Sequence, residues 1–299
     1  MATPGAARAE GRPQGPIALI KPRVLWLLVL SGLATAVVAE GGDVDPVQLL
    51  LLLCGGLLSV AGANILNNVL DRDRDSLMER TMWRPLPAGT VGPGAASAIG
   101  VTAGAAGIGL LWVAFNALTA MLSLLGFLFY ILVYTVLLKP RTPQNIVIGG
   151  LAGMLPPLVG WAAVEGSLAW RPAAIGLIIV LWTPPHFWSL ALLHRDDYAR
   201  AGVPMLPVVG GERVTRDRIV AYSVLMVAAS TLLALGGTVR PVYLAFALGL
   251  GAPVLALSLM LYARGTERLA RALFKASSAY LSLMLMAMVL DSIVAGPWG

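Results

Sequence analysis

Polar residues in this chain are gathered into short clusters, and between them lie nine apolar stretches at 24–39, 47–70, 95–114, 118–138, 146–164, 173–193, 219–237, 243–262 and 277–294. A bilayer core is crossed by about 20 helical residues, and each stretch meets or approaches that length. Inside lipid every backbone N–H and C=O must bond within its own segment, which leaves helices as the structure for continuous apolar runs of this size. The pattern predicts an all-α polytopic membrane protein with nine transmembrane helices.

Composition agrees with that reading. Of 299 residues, 58% are hydrophobic and 12% charged, too few charges to clothe a water-soluble domain. The net charge of +6 is therefore loop charge, and a nucleic-acid module is excluded as its meaning. A single cysteine, Cys54, lies within an apolar run; it excludes an intramolecular disulfide framework and a thiolate metal cluster, and reads as packing.

Orientation follows from where the basic residues fall. With the N-terminus inside, 19 of the 21 Lys and Arg residues lie in cytoplasmic segments, and only Arg171 and Arg240 lie outside. One span more or fewer would scramble every later loop. The expectation is a multi-pass protein of the cytoplasmic membrane with its N-terminus inside and its C-terminus outside. Residues 1–16, rich in Ala, Gly and Pro, are expected to form a disordered tail. Lys21 and Arg23 ahead of the first apolar run also fit a signal peptide ending near Ala39, but cleavage would leave eight spans, so the first segment is expected to stay as a helix.

The second stretch carries polar groups straight out of its apolar run, in Asn67-Asn68-Val69-Leu70-Asp71-Arg72-Asp73-Arg74-Asp75. Spacing of four residues puts Asn67, Asp71 and Asp75 on one helical stripe, while Asp73 points elsewhere. Two carboxylates on one stripe at a low-dielectric boundary are costly unless a cation neutralises them, and Mg²⁺ favours one or two carboxylates together with substrate phosphate oxygens. The plain alternative is a solvated helix end in which Asp71 to Asp75 pair with Arg72, Arg74 and Arg80. Asn67, on the apolar side, favours the ligand stripe. Downstream, Pro85 and Pro87 end any helix and leave Arg80 and Arg84 on a loop over the bundle mouth, where guanidinium groups suit phosphate.

The run from Asn67 to Gly89, NNVLDRDRDSLMERTMWRPLPAG, resembles the first signature, N-x-x-x-D-x-x-x-D, of the intramembrane aromatic prenyltransferases, the UbiA superfamily. Two later stretches, Tyr134-Thr135 through LKPRTPQNIVIGG and LWTPPHFWSLALLHRDDYARAGVPMLPVV, resemble the branch that farnesylates heme. The likeness runs from about Lys21 to the last helix. It implies helices around a central cavity under cytoplasmic cap loops, and a domain over 17–299 made of two parallel four-helix repeats plus a ninth helix. It also implies a catalytic set of Asn67, Asp71, Asp75, Lys139, Asp196 and Asp197, all but Lys139 serving as Mg²⁺ ligands. Arg72, Arg80, Arg84, Lys139 and Arg141 would bind diphosphate, and Tyr134, His186 and Trp188 would contact the acceptor. The implied substrates are farnesyl diphosphate and heme B, with heme as a substrate rather than a cofactor. Membrane lipid is the surrounding partner, and a heme A synthase or terminal oxidase assembly would lie downstream.

Other clusters fit the same scheme without proving it. His194-Arg195-Asp196-Asp197-Tyr198 is a second acidic site 125 residues after Asp71, which suggests a parallel repeat. The superfamily usually has D-x-x-x-D here, and the first of those positions is not Asp, so either Asp196 or Asp197 would reach the metal. Lys139 and Arg141 are equally explained by positive-inside charge. Thr183-Pro184-Pro185-His186 places a proline pair and a histidine inside the sixth span; His186 reads as an acid/base, a porphyrin contact, or a hydrogen-bonded interhelical histidine. Trp83 stands where the family commonly has a polar residue. The rival readings are a related prenyltransferase with a quinone-ring or chlorin acceptor, and a nine-span transporter whose acidic clusters bind a cation.

Overall fold

The computed structural model describes residues 15–235 and 241–296. The expected tail therefore lies almost wholly outside the described residues, as do Arg8, Arg12 and Arg240. Nine long helices follow one another among the described residues, with no strand: α1 (Pro22–Ala39), α2 (Pro46–Ser76), α3 (Pro93–Ala114), α4 (Ala117–Leu138), α5 (Asn145–Glu165), α6 (Trp170–Leu193), α7 (Gly211–Leu235), α8 (Pro241–Arg264) and α9 (Glu267–Ala295). All but α1 are long and apolar enough to cross a membrane; α1 contributes the shorter apolar helix Leu25–Ala39.

Capping explains several of the starts. Pro22, Pro46 and Pro93 sit in the first turns of α1, α2 and α3, where the missing N–H costs nothing. Asn116 caps α4 by accepting from Thr119 N at 2.9 Å, and Thr266 caps α9 through Leu269 N. Three helices outrun their apolar stretches at the charged end. α2 continues to Ser76, α7 begins at Gly211 and α9 at Glu267, so the arginines of these segments ride on helical extensions.

Two cores hold the bundle. Ala34 and Val38 of α1 join α6 to α9 through residues such as Ile175, Trp188, Met226, Leu261 and Met284. Ala36, on the opposite side of α1, joins Leu52, Leu111, Leu122 and Ala162 of α2 to α5. The first helix thus packs both halves of the chain together. α6 is the central helix, with 72% of its span buried against 22–44% for the other seven long spans. It runs without interruption through Pro184 and Pro185. Outward positions such as Trp112, Val113, Met121 and Ile293 are exposed, an apolar belt suited to lipid.

Small residues let the helices that carry the site approach closely. A Cβ on Gly62 would lie 2.6 Å from Gly100 O, and one on Gly107 would lie 2.5 Å from Ser59 N, so α2 and α3 meet backbone to backbone. Gly32 of α1 and Gly160 of α5 make the same kind of crossing. Beyond that crossing, toward the acidic stripe, Leu66 packs on Gly100 and Ile65 clusters with Ala96.

Candidate active site at the bundle mouth

Asn67, Asp71 and Asp75 are buried on the last turns of α2, as the four-residue spacing predicts, while Asp73 is 87% exposed and pairs with Arg72. Each buried member of the stripe is met by a different basic residue. Asp71, fully buried, pairs through Oδ2 with Lys139 Nζ at the end of α4. Its Oδ1 lies 3.8 Å from Arg74 and accepts no hydrogen bond. Asp75 Oδ2 accepts from Arg84 Nη1 at 2.6 Å, and the same nitrogen lies 3.5 Å from Asn68 Oδ1. Thr81 Oγ1 donates to Asp75 O at 2.9 Å and draws the following loop back over the helix end. Arg84 is thereby placed over the mouth, where the prolines put it.

A third cation reads in the sequence only as positive-inside charge. Lys21 donates to Asn67 Oδ1 from a short 3₁₀ segment, Pro16–Ile20, that lies against α2. Asn64 Nδ2 donates to Ile20 O at 3.0 Å and Asn68 Nδ2 to Leu19 O at 2.7 Å. These two amides turn the chain so that Lys21 has φ near 50°, the left-handed region, which costs a non-glycine residue about 1 kcal/mol. Burial, reinforced by Arg84, pushes the Lys21 pKa down to about 7. For Lys139, burial works against the charge, but the Asp71 carboxylate outweighs it and the pKa is raised.

α4 reaches the stripe through a change of helix type. From Phe129 to Leu138 it is a π-helix, in which Lys139 N donates to Tyr134 O at 2.8 Å. The sequence offset between facing residues of α2 and α4 grows from 64 at Ser59–Ser123 to 68 at Asn67–Thr135 and Asp71–Lys139. The wider turns use up extra residues and bring Thr135 and Lys139 into line with the stripe. Tyr134, on the same segment, stacks on Tyr130 with ring centres 5.4 Å apart and lies against Gly149.

The second acidic cluster is built differently. Arg195–Arg200 forms a short helix on which Asp196 is exposed, lining an open cleft with Glu79, His194, Glu212 and Glu267. Asp197 is buried, accepting from Glu79 N at 3.1 Å and Arg80 N at 3.4 Å and pairing with Arg200. Burial raises its carboxyl pKa, but those backbone donors and Arg200 outweigh it, and the net shift is downward. Asp197 ties the loop after α2 to the loop after α6. His194 lies 3.9 Å from it, with its pKa lowered by burial and by Arg80. Among the described residues no group of three His, Cys, Asp or Glu side chains is placed to hold a metal ion, so Asp196 and Asp197 do not form such a group with Asp71 and Asp75.

The remaining expected residues are spread around the mouth and the core. Arg80 lies 3.5 Å from the Tyr198 hydroxyl, and its buried Nε has no hydrogen bond. Arg141 turns back to donate to Val136 O and Leu137 O, closing the end of α4. His186 lies between the rings of Trp182 and Phe274, 4.3 and 4.4 Å away, and its Nδ1 is 3.0 Å from Ser277 Oγ. Trp188 is buried against Tyr222 between α6 and α7.

The donor set suits a hard divalent cation: one amide oxygen and two carboxylates, one of whose oxygens, Asp71 Oδ1, is buried without a hydrogen bond. The three cations beside it suit a polyanion. Comparison with known proteins agrees. The chain is 48% identical over 282 residues to a protoheme IX farnesyltransferase of Synechocystis sp., covering 92% of this chain and 88% of that one. Its fold matches a solved digeranylgeranylglyceryl phosphate synthase with a TM-score of 0.76 at 18% identity, covering 93% and 97% of the two chains. A UbiA homolog from Archaeoglobus fulgidus, solved with DMAPP and Mg²⁺, matches with a TM-score of 0.67 at 16% identity over 92% and 98%. The model of the UbiA prenyltransferase family matches residues 26–286. This chain belongs to the UbiA prenyltransferase family.

Proposed function

We propose that the chain transfers the farnesyl group of farnesyl diphosphate to a vinyl group of heme B, giving heme O and diphosphate. The observation that carries the reading is the buried Asn67, Asp71 and Asp75 stripe faced by Lys21, Lys139 and Arg84, a site for a metal-bound diphosphate set at the end of an apolar bundle. The acceptor rests on the names of the relatives. A quinone-ring or chlorin acceptor has no such support, and a transporter has no need of three cations converging on its acidic stripe.

The mechanism follows from charge. Asn67, Asp71 and Asp75 would hold Mg²⁺ beside the diphosphate, with the exposed Asp196 of the second cluster joining through the substrate. When bound, the metal would shield phosphate charge and favour departure of the leaving group. Lys139 and Arg84, which neutralise Asp71 and Asp75, would be free to donate to phosphate oxygens once those carboxylates held a cation, and Lys21 would add a third positive group. Arg80, with an unbonded Nε, is a fourth donor. The C1–O bond breaks, diphosphate leaves with the electron pair, and the vinyl group attacks the allylic C1. Water captures the resulting carbon and loses a proton, leaving a hydroxyethylfarnesyl side chain. No protein nucleophile takes part. Tyr134 and His186 border the acceptor from α4 and α6 in this reading.

The same reading gives a multi-pass protein of the cell membrane with the mouth on the cytoplasmic side, N-terminus inside and C-terminus outside. Residues 17–299 form one catalytic domain of two parallel four-helix repeats and a ninth helix, and heme O passes to a heme A synthase or oxidase assembly. The test is incubation of membranes bearing the protein with heme, farnesyl diphosphate and Mg²⁺, followed by mass spectrometry of the porphyrin. Heme O is expected; a prenylated quinone and unchanged heme would overturn the assignment.

A further inference from the structure

Thr135 has no role in the reading above, yet it is 1% exposed and touches the first residue of the stripe. Its Oγ1 donates to Tyr130 O at 2.8 Å, within the π-helical segment of α4. A hydroxyl has a single proton to give. With that proton committed to a carbonyl, Oγ1 can only accept, and it accepts from Asn67 Nδ2 at 2.8 Å. The amide nitrogen of Asn67 is thereby turned toward α4. On the other side stands Lys21, which donates to Asn67 Oδ1. Two independent neighbours, an acceptor on α4 and a donor ahead of α1, favour the same orientation of a planar group whose two ends are nearly identical in shape.

We infer that Thr135 is a positioning residue which locks the Asn67 side-chain amide with its oxygen toward the cation site. This rests on the proposed metal–diphosphate site and adds what that site requires. An amide ligates a hard cation through oxygen, and an amide turned end for end would present its N–H₂ group to both the metal and Lys21. Without the Thr135 acceptor, the buried Nδ2 loses its partner, and nothing distinguishes the productive orientation from the reversed one except Lys21, which farnesyl diphosphate draws toward its phosphates. The Thr135 proton goes to Tyr130 O, five residues back in the π-helical segment, and leaves Oγ1 to accept.

The test uses the full chain in detergent with farnesyl diphosphate and Mn²⁺ and without heme, reading bound Mn²⁺ by electron paramagnetic resonance, so that no turnover is needed. Thr135→Val keeps shape and removes the hydroxyl; it is expected to weaken Mn²⁺ binding roughly 10- to 100-fold, the usual effect of losing a group that orients a metal ligand. Thr135→Ser should keep the unaltered affinity. The decisive comparison places Thr135→Val in an Asn67→Asp background. A carboxylate offers oxygen at both ends and needs no locking, so the valine effect should shrink to about twofold or less there. Should the valine variant not accumulate, Thr135→Ala makes the same comparison without added bulk. Unchanged Mn²⁺ binding in Thr135→Val, a valine loss as large in the Asn67→Asp background as in the unaltered one, or a serine variant as weak as valine would each overturn the assignment. If the unaltered chain binds no Mn²⁺ with farnesyl diphosphate, the proposed function fails and this role fails with it.

Discussion

The two acidic clusters at the bundle mouth contain the same residue types and differ in what satisfies them. On α2, Asp71 and Asp75 are buried and neutralised by side chains, Lys139 and Arg84, that come from other segments and can swing away. After α6, Asp197 is also buried, but two of its partners are the backbone N–H groups of Glu79 and Arg80. Backbone donors do not swing. The first arrangement stores charge that a ligand can claim, and the second holds two loops in place. Burial alone does not mark a carboxylate as a ligand; the mobility of its partners does.

The largest expected effect tests the first half of that contrast. Asp71→Ala should lower turnover by more than about 100-fold, equivalent to about 3 kcal/mol of leaving-group stabilisation, while the protein still inserts. Retained turnover in a product assay would mean that the stripe is structural. Next in size, Lys139→Ala and Lys21→Ala should each weaken farnesyl diphosphate binding by about 10-fold, more in low salt than in high, because the site opens on water. Binding measured without heme separates them from His186→Ala, which should leave donor binding unchanged.

Asp197→Asn probes the second cluster. It should cost about 1–3 kcal/mol of stability, seen as a lower Tm and faster proteolysis between residues 77 and 92, with turnover falling less than in Asp71→Ala. The pH dependence has a definite sign. The folded pKa of Asp197 is depressed, so its contribution is complete above the unfolded value of about 4 and is lost as pH falls through the lower folded value. The loop tie should therefore hold at neutral pH and loosen only in acid. The smallest effect belongs to Asp73→Ala, which removes an exposed carboxylate paired only with Arg72 and should change turnover by less than about twofold. A loss equal to that of Asp71→Ala would mean that bulk charge, not the stripe, matters.

Much of this is legible in the sequence because helical period and hydropathy are local. The nine helices and the separation of Asp73 from Asn67, Asp71 and Asp75 follow from spacing alone. Lys21 is not legible as a site residue, since its partner is 46 positions away and its left-handed backbone depends on Asn64 and Asn68. No propensity marks Phe129–Leu138 as π-helical; the apolar run reads as an ordinary span, and the offset appears only when α2 and α4 are side by side. Asp197 looks interchangeable with Asp196 because a sequence does not say which of two adjacent carboxylates meets two backbone amides.

The π-helical stretch gives α4 a vulnerability unrelated to side-chain chemistry. A π turn is an α turn carrying an extra residue, and selection can take that residue away again. Adding or deleting a position here without a matching change of helix type would rotate everything after it by about a quarter turn. Lys139 would then leave Asp71 although its own codon is untouched. Length at this point of the gene is as much a part of the active site as the identity of any residue in it.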